Sequence, residues 1–302
     1  RSNTLVQSTQ ISSTSNGDIT LGDIDGGYAL TLANGSGTID LQRVGATTPL
    51  ASLTLSGTGI NVLRGGITTV GAVDLLGTSR STQLASHVAI TTTNSNVTGG
   101  ALDGATGTPQ GTYDFVVSNG SGDILLGDVG SIIALRSMTF YGTGSNNIGS
   151  INTDAGYDLG SDRGMTLHAD ITYGNPNSTV ALGRLTLDDG VTLTLGNGGP
   201  AAITVKLISG TLGGAASNVV INTRGTVVVS GTIGTDIGSV TVTNSNGVTF
   251  AGAVTVGSSI LLNDTSDGES ISFNGALIAQ TLTTAVQGYN LGINGTGSSI
   301  AN

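Results

Sequence analysis

The sequence predicts an all-β protein, a parallel β-helix or solenoid with coils of about 20 residues, and three observations predict it. The chain lacks the residues that make surface helices, its apolar residues alternate, and it repeats itself. It holds one Glu (Glu269), one Lys (Lys206), no Trp and no Cys, but 50 Gly in 302 residues. Exposed helix surfaces are built from Glu, Lys and Ala-rich runs. Val, Ile, Leu and Thr in short runs take their place here, and these fit a pleated, half-buried surface.

The second observation separates this chain from a flexible linker, which Gly, Ser, Thr and Asn alone would suggest. Apolar residues make up 37% of the chain and charged residues only 9%, so apolar surface is available to bury. They also follow a two-residue period, as in Leu53-Thr-Leu55, Val191-Thr-Leu193-Thr-Leu195 and Val240-Thr-Val242. One face is therefore turned inward and the other outward.

The third observation is the repeat. A shift of 85 residues lays Tyr28 on Tyr113, and from there to Asn61 and Asn146 16 of 34 positions are identical. Asn34-Gly-Ser-Gly37 falls on Asn119-Gly-Ser-Gly122, and Gly57-Thr-Gly59 on Gly142-Thr-Gly144. A shorter period lies inside it: Gly17-Asp-Ile-Thr-Leu21 returns as Gly37-Thr-Ile-Asp-Leu41. The long repeat then reads as about four coils, each too small to own a core and obliged to stack on copies of itself.

Each coil is expected to hold two or three short strands. Ile19, Leu21, Ile39, Leu41, Leu53 and Leu55 fill the interior, and Gly and Asn take the corners, where positive φ costs them little. At about 4.8 Å per coil, about 15 coils give a rod about 70 Å long, one elongated solenoid over residues 1–302. Residues 98–111 and 173–178 interrupt the pattern and are expected to project as loops, the first places to look for binding. No amphipathic capping helix is visible at either end, so the ends are expected to be capped elsewhere or to meet neighbours. Arg1 in place of an initiator Met reads as a processed or excised chain.

Leu50-Ala-Ser-Leu-Thr-Leu-Ser-Gly-Thr-Gly59 with Gly66-Ile-Thr-Thr-Val-Gly71 recurs as Leu135-Arg-Ser-Met-Thr-Phe-Tyr-Gly-Thr-Gly144 with Gly149-Ser-Ile-Asn-Thr-Asp154. These elements resemble the repeat regions of large secreted bacterial exoproteins, the filamentous-haemagglutinin-like and autotransporter-passenger adhesins. The resemblance is one of pattern over most of the chain. It implies a right-handed parallel β-helix, export across the outer membrane, and a part in attachment or aggregation. It carries over no functional residue.

Charge narrows the partners. The net charge of −10 and the absence of any basic cluster argue against nucleic acid and against anionic membranes. No apolar run approaches the roughly 20 residues needed to span a bilayer, so no membrane insertion is expected. The expected partners are the chain itself, end to end or laterally, a host or abiotic surface, or a polysaccharide. The expected location is extracellular, at a bacterial cell surface.

Some β-helices degrade pectin, so the catalytic candidates need weighing. Asn152-Thr153-Asp154 and Asp188-Asp189 match part of a polygalacturonase pattern, and paired carboxylates are what glycoside hydrolysis requires. The Gly-His-Gly and Arg-x-Lys parts are missing: His87 sits in Ser-His-Val, His168 in Leu-His-Ala, and Lys206 has no Arg two residues before it. Solvated turn residues are the preferred reading. His87 and His168 read as one repeat position seen twice, about 19 Å apart over four coils, too far to share a metal. Calcium is the ion best matched by the oxygen-rich Gly22–Gly27 and Asp264–Glu269 segments, though ordinary Asx turns account for both and no cofactor is expected. Asn34, Asn96, Asn119, Asn177, Asn263 and Asn294 each begin an Asn-x-Ser/Thr triplet, a weak signal in a chain this rich in Ser and Thr.

The sequence therefore points to a non-enzymatic structural or adhesive β-helix, either an adhesin stalk or a fibre subunit that assembles end to end. No catalytic or metal residue is assigned and the binding residues are open. The alternative is a polysaccharide-active β-helix enzyme, which would gather Asp154, Asp188 and Asp189 in one groove.

Overall fold

A computed structural model of the chain describes residues 3–13, 16–75, 80–175 and 178–301. Among the described residues every regular element is a β-strand, and the paired strands are parallel. The chain winds through about 13 turns of about 22 residues. These turns group into two compact units, Arg1–Ala155 and Gly156–Asn302.

Each turn of the first unit gives one segment to each of three ladders. The first ladder stacks Thr9–Ser13, Ala29–Asn34, Ser52–Ser56, Val73–Asp74, Val97–Thr98, Ile124–Leu126 and Ser145–Ile148. The second stacks Ile19–Leu21, Ile39–Leu41, Ile60–Leu63, Ser81–Leu84 and Leu102–Gly104, then continues through single bridges at Val129 and Ile151. The third runs from Asn3–Thr4 through Ile24, Val44 and Ile67 to Val88–Thr91, Asp114–Ser118 and Ser137–Tyr141. The period-2 pattern decides which side chains enter the core. Leu30, Leu32, Leu53 and Leu55 are fully buried in register, while Thr31 and Thr54 face out. Ile19, Ile39, Leu41, Leu53 and Leu55 are buried as expected, and Leu21 is half-buried.

The second unit also has three ladders. Two eight-residue strands, Val180–Leu187 and Ile203–Gly210, each serve two of them. Val180 pairs with Tyr157, whereas Arg184 to Leu187 pair with Gly164 to Leu167. Gly183 lies between these halves, and a Cβ there would stand 2.2 Å from the carbonyl oxygen of Arg163, so only glycine lets the strand pass. The remaining ladder stacks Ile171–Tyr173, Thr192–Leu195, Ser217–Asn222, Ile237–Asn244, Ser259–Leu262 and Thr281–Thr284. In another ladder of this unit Phe250 and Phe273 are register partners, and their rings stack 4.7 Å apart and 13° from parallel.

Three expectations need correction. The turns number about 13 rather than 15 because corners vary in length. Ile19 to Ile39 is 20 residues, but Leu102 to Val129 is 27, the excess lying in the corner that contains Thr106, Pro109 and Gln110. Within residues 98–111, expected to project, Leu102–Gly104 is a buried strand paired with Thr82–Leu84, so only the later part leaves the ladder. Of 173–178, Tyr173 is buried at the end of a strand, and residues 176 and 177 lie outside the described residues.

The third correction concerns the long repeat. Along the first ladder Leu53 leads to Val73, Val97, Ile124 and Asn146. Asn146 is the repeat equivalent of Asn61, yet Asn61 stands in the second ladder against Thr82. Met138, the equivalent of Leu53, pairs with Phe115 in the third ladder. The 85 residues thus advance by three turns and two sides of a fourth, so each repeated segment lies one side away from its equivalent. All sides offer the same environment, apolar within and polar without. The repeated sequence specifies a strand–corner–strand unit, not a particular side.

Candidate functional site

The carboxylates locate the chemistry of this chain, because most that carry contacts bind the coil above them. Asp18 Oδ1 accepts the backbone N–H of Thr38 at 2.7 Å, and Asp25 Oδ1 accepts those of Thr47 and Thr48 at 2.7 and 3.1 Å. Asp103 does the same for Ile132 and Ile133, Asp123 for Ser145, Asp128 for Ser150 and Asp170 for Thr192. Asp23, Asp40 and Asp114 pair with Arg43, Arg64 and Arg136, each one turn on. Hydrogen bonds to the ionised form stabilise it. The Arg43 guanidinium holds Asp23 below the usual carboxylate range, Arg136 does so for Asp114, and the N–H and hydroxyl of Ser150 do so for Asp128.

The weighed catalytic residues are divided between the two units. Asp154 belongs to the first unit, exposed, with its carboxylate against Gly111. Asp188 and Asp189 belong to the second. Asp188 contacts His168 Nδ1 at 2.5 Å, and Asp189 accepts the Thr211 hydroxyl at 2.9 Å. His87, in the first unit, accepts the Asp114 N–H at Nδ1, 3.2 Å, and edges against the Tyr113 ring. Each histidine is thus an exposed contact to the next coil.

The two oxygen-rich segments behave alike. In Gly22–Gly27, Asp23 faces Arg43, and Asp25 is buried with its carboxylate on backbone N–H groups. In Asp264–Glu269, Thr265 is buried on Ser245, and Ser266 closes a turn onto Glu269. Among the described residues no three His, Asp or Glu side chains converge as a metal site. Asn34 and Asn119 are buried, so their triplets present no accessible amide. Asn96 and Asn294 are exposed, Asn263 is half-buried, and Asn177 lies outside the described residues.

Sequence reasoning missed Arg80, which is 1% exposed. Its Nε donates to Asn61 Oδ1 and its Nη1 to Asn34 Oδ1, both at 2.6 Å, and its Nη2 reaches the carbonyl oxygens of Ile60 and Gly37. Asn34 in turn donates from Nδ2 to the Thr38 and Gly17 carbonyls. The guanidinium thereby ties three successive corners. No spacing rule links residues 34, 61 and 80; only the recurrence of Asn34 as Asn119 and Asn61 as Asn146 marked the asparagines. Tyr157 and Tyr173 were also unforeseen as core residues. Burial pushes both hydroxyls well above the ordinary tyrosine range, and that of Tyr173 donates to Met165 Sδ at 3.3 Å.

The described residues also form shallow concavities, two of which are notable. One, of about 270 Å³, crosses three turns of the first ladder and is lined by Asn96, Thr98, Asp123, Leu125, Ser145 and Asn147. The other, of about 220 Å³ in the second unit, includes Asp158, Thr204, Lys206 and Ser230. Neither gathers two carboxylates.

The class this fold defines is the parallel β-solenoid, and the chain is a β-helix repeat protein. Comparison with protein-family models, characterised proteins and solved structures finds no match.

Proposed function

We propose that this chain is a non-enzymatic structural and adhesive solenoid of an extracellular bacterial surface. The observation that carries the proposal is the use of its carboxylates. Asp18, Asp25, Asp103, Asp123, Asp128 and Asp170 accept backbone N–H groups of the following turn, so their oxygens serve the architecture. Glycoside hydrolysis needs two carboxyl groups converging across one bond, about 5 to 9.5 Å apart. Outward neighbours such as Thr31 and Thr54, or Ser239 and Ser259, are instead short and uncharged.

The last strands of the second unit are where stacking onto a further coil would take place. Thr281–Thr284, Asn290–Ile293 and Ser299–Ile300 pair on one side only among the described residues. Leu291 and Ile293, in register over buried Ile271 and Phe273, are 37% and 41% exposed. A further parallel coil, of the same chain or of another, fits such a side.

Beads coated with the protein are expected to stay attached under flow to cellulose films or cultured-cell layers, while incubation with neutral and acidic polysaccharides releases no new reducing ends. Release of reducing ends or unsaturated uronates without attachment would replace this reading with the enzymatic one.

A further inference from the structure

The concavity on the first ladder has the form of a recognition site, and we infer that it binds an uncharged, hydroxyl-rich polymer, an extended neutral glycan lying across the coils. This rests on the adhesive reading and deepens it by naming the surface and the ligand chemistry. Asn96, Asp123 and Ser145 form one row, and Thr98, Leu125 and Asn147 the next, each residue one turn above the last.

The rows keep hydrogen-bonding capacity turned outward. Asn96 Oδ1 accepts the Asp123 N–H at 2.9 Å, which leaves its amide N–H groups without a protein partner among the described residues. Asp123 Oδ1 accepts the Ser145 N–H at 2.8 Å, and among the described residues no bond is made by its second oxygen. Asn147 is exposed, and among the described residues nothing bonds its amide. Between these groups Leu125, 40% exposed, supplies an apolar floor. Polar groups at the edges with an apolar patch between them match a sugar ring, which presents hydroxyls at its rim and C–H groups on its face. The coil step of about 4.8 Å is close to the length of one sugar residue, so one row can meet successive residues of a chain.

Other polymers fit less well. No Lys or Arg lines the concavity, and Asp123 and neighbouring Asp74 would repel a polyanion. The strands beneath it, Val97–Thr98 and Ile124–Leu126, are paired on both sides, so no edge is open to an added peptide strand.

The test is calorimetric titration of the whole chain with cellohexaose, xylohexaose, laminarihexaose and, as the anionic comparison, oligogalacturonate. At least one neutral hexasaccharide is expected to bind and oligogalacturonate is not. Asn147→Ala and Leu125→Asp, both at exposed positions, are expected to weaken binding by about tenfold or more each with the circular dichroism unchanged. Binding to no neutral hexasaccharide, or equal binding by both variants, overturns the inference. Coated beads separate it from the adhesive reading. Beads that attach as well with the variants leave adhesion standing on another face and remove the groove; hexasaccharide binding without bead attachment keeps the groove and removes adhesion.

Discussion

At the scale of single residues, the acidic composition is explained by backbone chemistry. A solenoid corner exposes N–H groups that the ladders do not use, and an Asp or Asn one turn below accepts them. Asn16 and Asn94, both at positive φ, receive the N–H groups of Ser36 and Ser121 in the same way. The acidity of this chain therefore reports architecture, and it sets a pH dependence. Asp23, Asp114 and Asp128 are held below the ordinary carboxylate range in the folded chain. A depressed folded pKa contributes stability that is fully present above the unfolded value, about 3.9, and is lost as pH falls through the folded one. Thermal melts are expected to show a constant Tm down to about pH 4.5 and a falling Tm below about pH 4. Asp128→Asn, which keeps an acceptor for Ser150, is expected to flatten part of that fall. An unchanged acid slope in this variant would remove Asp128 from the account.

At the scale of the element, the corner is the unit that repeats. The Asn34 corner links a strand of the first ladder to one of the second, and the Asn119 corner links the third to the first. Both asparagines nevertheless donate to the carbonyl four residues on, Thr38 and Asp123. Gly57 shows how tight these corners are: its φ is +123°, and a Cβ would stand 1.7 Å from the Asn34 carbonyl oxygen. Arg80 closes this stack of corners from within. Arg80→Ala leaves Asn34 and Asn61 without their donor and opens a cavity, and is expected to cost about 3 kcal/mol or more. Asn16→Ala, at an exposed corner, is expected to cost about 1 kcal/mol. Equal denaturant midpoints for the two variants would contradict the assignment of Arg80 as the internal tie.

The alternation and the repeat made the strands, the parallel stacking and most inward residues legible in the sequence, because burial on a pleat is written in single side chains. The corners were less legible. Their acceptors are Asp and Asn, but their donors are backbone N–H groups of any residue, so Asp103 and Asp128 carry no visible partner in the sequence. The role of Arg80 was hidden for the same reason, since its side-chain acceptors lie 19 and 46 residues away and its three other acceptors are carbonyls. The groove at Asn96 and Asn147 could be found only once the register set three separate segments side by side.

At the scale of the whole molecule, the two units share one rule of construction: three parallel ladders per unit, apolar rows inward, short polar rows outward, and carboxylates or amides joining turn to turn. A sequence copied within such an architecture can move to another side without loss, because each side presents the same demands. That freedom is what sets Leu53 and Met138 in different ladders. It also means that the chemistry of a surface such as the Asn96–Asn147 groove is not copied by the repeat, since Leu125 and Asn147 fall on Asp40 and Val62, neighbours of different character in the second ladder, and Thr98 lies outside the repeated segment.

The register is therefore the claim on which the account stands, and disulfide trapping tests it in a chain that has no cysteine of its own. Thr98 stands beside Leu125, and parallel neighbours about 4.8 Å apart fall within the Cα separation that a disulfide spans. Thr98→Cys with Leu125→Cys is expected to oxidise readily to an intramolecular disulfide, while Thr98→Cys with Val116→Cys, the neighbour required if the long repeat were four whole turns on one side, is expected to stay reduced. The reverse result would contradict the rotated repeat, the ladders built on it and the groove they form.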